Sequence, residues 1–213
     1  MHSSSSPFPQ CRNIFAVGRN YAAHASELQN PIPERPLLFE KAVASLVTGD
    51  LVSLPRALFP IHHEIEVVLE IGSVITPGTL ADLNCIRSIG LGIDFTARDM
   101  QSDLKKQGHP WLRAKSFHNS AYLTSLVPFT SPWQDLAFQL YRNDQCVQDG
   151  HTSMMLFPPL DLLKELNQTL QLSPGDLIYT GTPAGVGPVA EGDLLSLVCQ
   201  ALDIRQSARV TAF

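Results

Sequence analysis

Along this chain apolar positions come in short alternating or continuous stretches, and turn residues bound nearly every one. Leu37–Phe39, Ile65–Ile71, Ile86–Phe95, Tyr122–Val127, Leu177–Thr180 and Leu194–Val198 are runs of strand length. Sixteen prolines and thirteen glycines cut the chain between them. Gly-Asp-Leu occurs at Gly49, Gly175 and Gly192, each time ahead of a strand-like run. Glycine tolerates turn backbone and aspartate bonds its own main chain, so three turns feeding three strands are predicted. Their irregular spacing argues against a repeat architecture.

Helical patterns are few. Asn20 is placed to cap a short helix running to about Leu28, since asparagine accepts from first-turn amides. Leu160–Leu170 has apolar residues at helical spacing and ends before Ser173-Pro174-Gly175. Met100–Gln107 is a third candidate. No strand–helix–strand alternation runs through the chain, which argues against a doubly wound parallel sheet. The prediction is a β-rich α+β fold with a few short peripheral helices. It forms one domain over residues 1–213, with 1–13 as an N-terminal extension.

A length of 213 residues suits a single domain with a sizeable core. With 44% hydrophobic and 16% charged residues and a formal charge of −5, the chain offers no electrostatic basis for binding nucleic acid. No stretch approaches the ~20 apolar residues that span a bilayer, and the start has no basic-then-apolar leader. Cys11, Cys85, Cys146 and Cys199 are scattered without a CxxC and read as free thiols. A cytoplasmic protein without membrane association is expected.

His62-His63-Glu64-Ile65-Glu66-Val67-Val68-Leu69-Glu70-Ile71 carries the most chemistry. As a strand, it sends Ile65, Val67, Leu69 and Ile71 to one face. Glu64 and Glu66 share the other face, about 7 Å apart, with Glu70 and His62 beside them. Paired carboxylates repel unless a cation lies between them, and hard oxygen ligands suit Mg²⁺ or Mn²⁺. The alternative is a half-exposed strand with a solvated polar face. Asp94 lies in the apolar run Ile89–Phe95. A buried carboxylate without a partner costs several kcal/mol, so it needs a metal, turn amides or Arg98.

HHEIEVVLEIG, GIDFTARDMQ, PWLRAKSF, GHTSMMLF and TGTPAGVGP follow one another in the order seen in the fumarylacetoacetate hydrolase family. The chain resembles that family's short single-domain branch, acylpyruvases and oxaloacetate decarboxylases, from about Ile14 to Leu197. The resemblance implies a mixed β-sandwich roll, usually dimeric, with Mg²⁺ or Mn²⁺ held by Glu64, Glu66 and Asp94. It makes Lys115 the active-site lysine and Arg19, Arg98, Gln101 and Thr182 substrate contacts. GRNYAAHASEL resembles the lid segment, in which His24 and Glu27 form a water-activating dyad, and residues at i and i+3 of a helix are neighbours. Outside that resemblance, His24 reads equally as a surface histidine. The chain departs from the family in reading Lys41-Ala42 where Lys-Pro is common, and in Glu70 and His118.

Such a site takes a small 2-oxo acid as its partner. The metal would polarise the keto group, and Lys115 would stabilise the enolate. Hydrolysis of a 2,4-dioxo acid of the acylpyruvate or fumarylpyruvate kind is the first expectation, with His24 taking a proton from water and Glu27 orienting it. Oxaloacetate decarboxylation or tautomerisation is second, and isomerisation or decarboxylation in aromatic catabolism third. A different class is a 2-oxo acid binding protein without turnover. G-x-S-x-G, a phosphate loop and H-E-x-x-H are all missing from the sequence.

Overall fold

A computed structural model describes residues 11–28, 31–130 and 133–213. Most of the anticipated N-terminal extension therefore lies outside the described residues. Among the described residues the strands form two large mixed sheets and a small antiparallel one. The largest has eight strands, ordered Leu37–Lys41, Ile14–Gly18, Leu177–Tyr179, Ile65–Ile71, Ile86–Asp94, Ala121–Leu123 and Leu46–Val47, with Val127–Pro128 also pairing Ile86–Asp94. A five-stranded sheet runs Gln145–His151, Ala137–Arg142, Leu194–Cys199, Ile204–Ala212 and Leu51–Leu54. A small third sheet joins Gly187–Pro188, Ile61–His63 and Thr96–Ala97.

The two large sheets share one core, in which Ile65, Val67, Leu91 and Ile93 pack in a cluster with Phe138, Leu140, Leu197 and Val210. Burying each such side chain contributes about 1.5–3 kcal/mol. The Ile65–Ile71 strand is covered on its second face too. Val68 packs there with Ile14, Ala16, Ala121 and Tyr179. A strand buried on both faces has no solvated side, so the half-exposed alternative for Glu66 is overturned: only 1% of it is exposed.

Ile65–Ile71 forms as read, and Gly49, Gly175 and Gly192 all take positive φ ahead of Leu51–Leu54, Leu177–Tyr179 and Leu194–Cys199. The anticipated run Tyr122–Val127 divides into Ala121–Leu123 and Val127–Pro128. Four α-helices lie among the described residues: α1 (Ala22–Glu27), α2 (Arg98–Lys106), α3 (Leu112–Lys115) and α4 (Pro159–Asn167). Asn20 does not cap α1. Its side-chain amide donates to the carbonyls of Thr180 and Phe157, and its oxygen accepts from the Phe157 amide. With those partners its side chain is committed to a tertiary staple, and Tyr21 occupies the cap position without a side-chain bond.

Candidate active site

Two paired strands carry the carboxylates. Glu66 pairs with Gly92, and the amide of Asp94 donates to the carbonyl of Glu64 at 2.9 Å. Glu64 itself sits in the break between Ile61–His63 and Ile65–Ile71. Gly92 is required here, because a Cβ would stand 2.6 Å from the Tyr179 ring and 2.7 Å from the Tyr122 carbonyl. Glu64, Glu66 and Asp94 are all buried and place one oxygen each within 4.8 Å of one another. This all-oxygen donor set fits a hard divalent ion. The group does not include His62.

Three cations surround these acids. Lys115 donates to Glu64 Oε2 at 2.8 Å, Asp94 Oδ2 at 2.6 Å and Thr96 Oγ1 at 2.6 Å. Burial alone would discharge this ammonium, but Asp94 and Glu64 outweigh it and raise its pKa. Arg98 pairs with Glu64 and donates to Gln101 Oε1 at 2.8 Å. Asp94 is therefore paired with lysines, not with Arg98. Burial raises the Glu64 pKa, yet Lys115, Arg98 and His24 together bring it below its ordinary value.

Lys41 is the third cation, and its role went unread in the sequence. It is fully buried, donates to Asp94 Oδ1 at 2.5 Å, and also bonds the carbonyl of Lys115. Its signal was present as a lysine ending the apolar run Leu37–Lys41. Burial drives its pKa down, with Asp94 opposing.

Among the described residues Glu66 has no cation in an ion pair with it. It accepts from the Gly181 amide at 2.7 Å, and burial, Asp94 and Glu64 push its carboxyl well above the ordinary range. Gly181 takes φ 99°, and a Cβ there would meet the Asn20 Cβ at 2.6 Å. The turn that aims its amide thus depends on glycine. Thr182 follows, buried, its hydroxyl accepting from Gln148 Nε2 at 2.8 Å. Gln148 also holds His63 and the Ile65 amide.

His24 is buried, and its Nδ1 lies 3.3 Å from Glu27 Oε2. Glu27 Oε1 accepts from the Gly185 amide at 3.0 Å. The base of this segment is tied down by the bridge between Tyr21 and Met155, the latter within the GHTSMMLF motif. One cleft is lined by Arg19, His24, Glu64, Glu66, Arg98, Gln101, Lys115 and Thr182, with Phe39 and Trp111 on an apolar wall. Among the residues singled out from the sequence, Asp94 and Glu27 touch this cleft only through their partners. Among the described residues, no helix is long and apolar enough to cross a membrane.

The sequence model of the fumarylacetoacetate hydrolase C-terminal family matches residues 13–208. The chain is 35% identical over 191 residues to an oxaloacetate tautomerase, YcgM of Escherichia coli, covering 86% of each. It is 37% identical over 187 residues to the mitochondrial oxaloacetate tautomerase FAHD1 of Bos taurus, covering 85% of this chain and 84% of that one. Among solved structures, fumarylpyruvate hydrolase from Pseudomonas aeruginosa, in complex with Mn²⁺ and pyruvate, superposes with a TM-score of 0.89. Its identity is 30%, over 100% of this chain and 94% of that one. The fold and the enzymatic relatives agree with the resemblance read from the motifs: the chain belongs to the fumarylacetoacetate hydrolase family.

Proposed function

We propose that this chain is an enzyme that enolises a short 2-oxo acid with the help of Mg²⁺ or Mn²⁺, and that interconversion of the keto and enol forms of oxaloacetate is its main reaction. The observation that carries this reading is the meeting of Glu64, Glu66 and Lys115 with His24 in one cleft. Two relatives named oxaloacetate tautomerases, each matched over more than four fifths of the chain, support the choice of substrate. The Mn²⁺–pyruvate complex of the Pseudomonas hydrolase supports the metal and the 2-oxo acid.

A divalent ion held by Glu64, Glu66 and Asp94 would supply Lewis-acid polarisation of the 2-oxo group. The chain's own groups do the rest. Thr182 accepts a bond from Gln148 and donates only a long 3.5 Å bond to the Pro183 carbonyl, which its hydroxyl proton would exchange for a substrate carboxylate. Glu27 fixes the His24 ring by taking its Nδ1–H, so Nε2 is the basic nitrogen. His24 takes a proton from C3, and that electron pair moves into the C2–C3 bond as charge gathers on O2. Lys115 stabilises this oxyanion. O2 of the enolate takes a proton from solvent and the imidazolium releases the C3 proton to solvent, so C–H and C=O become C=C and O–H with no net gain or loss of protons.

A second reading is favoured by the His24–Glu27 contact: with water in place of the C3 proton, the same base would drive hydrolysis of an acylpyruvate. The test follows enol loss from oxaloacetate and cleavage of acetylpyruvate in the ultraviolet, with Mg²⁺ or Mn²⁺, for wild type, Glu66→Gln and His24→Ala. Metal-dependent oxaloacetate tautomerisation faster than acetylpyruvate cleavage is expected. The reverse order moves the assignment to hydrolysis, and wild-type inactivity on both overturns the reading.

A further inference from the structure

We infer that Lys41 is a positioning residue for the divalent ion: by holding Asp94 Oδ1 it leaves Asp94 a single coordinating oxygen, which fits the carboxylate centre to Mg²⁺ or Mn²⁺ and against Ca²⁺. The inference rests on the reading of Glu64, Glu66 and Asp94 as the ligands of such an ion.

Strand geometry places Lys41. It ends the strand Leu37–Lys41, in register with Ile14, and alternation turns it inward beside the exposed Glu40. A lysine ammonium has three protons to donate. This one meets three acceptors: Asp94 Oδ1 at 2.5 Å, the Phe95 carbonyl at 3.5 Å and the carbonyl of Lys115. Both side chains of the Lys41–Asp94 pair are fully buried. Turning the ammonium aside would leave a buried charge without its partner, which is strongly unfavourable. Lys41 therefore stays on Oδ1.

Each of the three carboxylates has one oxygen taken in this way. Lys41 holds Asp94 Oδ1, Arg98 holds Glu64 Oε1, and the Gly181 amide holds Glu66 Oε2. Asp94 Oδ2, Glu64 Oε2 and Glu66 Oε1 are left, and Lys115 bridges the first two at 2.6 and 2.8 Å. Lys115 and Arg98 line the cleft, where a substrate would compete for them, and Lys41 does not. Of the three lysine and arginine cations, Lys41 is thus the one whose hold on a ligand oxygen outlasts the arrival of ion and substrate.

Three single oxygens suit a small octahedral ion, whose other positions go to water and substrate. Ca²⁺ takes about six to eight oxygens and gains from carboxylates that supply both of theirs. A cation fixed on Oδ1 denies it the second oxygen of Asp94. The buried lysine therefore selects the ion through the aspartate it holds.

The test titrates Mn²⁺ and Ca²⁺ calorimetrically into the full chain, as wild type and as Lys41→Met, with melting temperatures confirming the fold. Wild type is expected to bind Mn²⁺ at least about tenfold more tightly than Ca²⁺. In Lys41→Met that ratio falls by about tenfold, the scale of effect seen for partners of metal ligands. Both ions carry two charges, so the charge lost with the lysine cancels in the ratio, and a merely loosened site lowers both affinities together. A wild-type ratio near one, or a ratio unmoved in Lys41→Met, overturns the inference. If Lys41→Met does not fold, Lys41→Gln takes its place with the same expected fall and the same overturning result. Enol loss from oxaloacetate with Mn²⁺, followed in parallel on wild type, separates the claims. Both ions bound at an unmoved ratio, with turnover, removes the role of Lys41 and keeps the reaction. The expected fall without turnover keeps the role of Lys41 and removes the reaction. Binding of neither ion by wild type overturns the ligand set, and the inference with it.

Discussion

Glu64 and Asp94 are joined twice: the Asp94 amide donates to the Glu64 carbonyl at 2.9 Å, and their side chains share the Lys115 ammonium at 2.8 and 2.6 Å. The first contact is sheet register and the second is site chemistry. Register therefore sets the carboxylate spacing. Slipping the Ile65–Ile71 strand by one residue would turn Glu66 to the opposite face. Because both faces of that strand are packed, such a slip is strongly disfavoured.

Glu66→Gln keeps the volume and the oxygen that accepts from Gly181 but removes the charge. Loss of a first ligand should cut metal-dependent turnover on the order of a hundredfold or more, given what even outer-shell changes do. The apo protein should keep its melting temperature, since a neutral side chain replaces a carboxyl that burial already holds protonated well above the ordinary range. The Mn²⁺-induced rise in melting temperature should shrink sharply. An undiminished rise would remove Glu66 from the ligand set.

The pH dependence of that rise has a definite sign. The Glu66 carboxyl is raised in the folded chain, so the folded state holds a proton that the unfolded state releases from about pH 4.5 upward. Apo stability accordingly falls as pH climbs through that window, until Glu66 ionises in the folded state as well. A divalent ion binds the carboxylate form and offsets this loss. The Mn²⁺ increment in melting temperature should therefore grow from pH 5 to pH 8, as scanning calorimetry at matched ionic strength would read. A flat or falling increment would contradict it.

The carboxylate strand was legible in sequence because period-two alternation and a buried apolar neighbour run both survive in one dimension. The second cover on that strand was not, since it comes from Val68, Tyr179 and Ile14, which are distant in the chain. The Ala137–Arg142 and Gln145–His151 hairpin and the Ile204–Ala212 strand were missed, their many polar side chains concealing the alternation. Asn20 shows the same limit. Its residue type fits a cap, and only the approach of Phe157 and Thr180 diverts it. Ala42 was noticed as a departure from the Lys-Pro of the family, while the burial of Lys41 against Asp94 needed the third dimension.

Lys41→Met tests that burial. Removing one partner from a buried pair typically costs about 3–5 kcal/mol, because the other charge stays behind. Lys115 still reaches Asp94, so a loss near the lower figure is expected in urea unfolding. Mn²⁺ should restore more stability to this variant than to wild type, since it returns positive charge to the same carboxylates. A loss below about 1 kcal/mol would show that Lys115 alone neutralises Asp94.

Glu27 ties two functions to one carboxylate, and two substitutions separate them. Oε1 holds the Gly185 amide and Oε2 holds His24 Nδ1. Gly185 is committed to this turn by φ 96°, with a Cβ there only 2.2 Å from the Val147 carbonyl. The six residues of α1 are too few to hold a helix unaided. Glu27→Ala should release the segment as well as the imidazole, raising hydrogen exchange across residues 21–28 and lowering kcat by about a hundredfold. Glu27→Gln keeps the Gly185 bond through its oxygen but turns an amide donor toward Nδ1. That forces the His24 proton to the other nitrogen and removes the base from the cleft. Exchange should then stay near wild type while kcat still falls by a similar factor. If Glu27→Gln retains full kcat, the carboxylate acts as a tether only, and the proton taken from C3 passes to some other group.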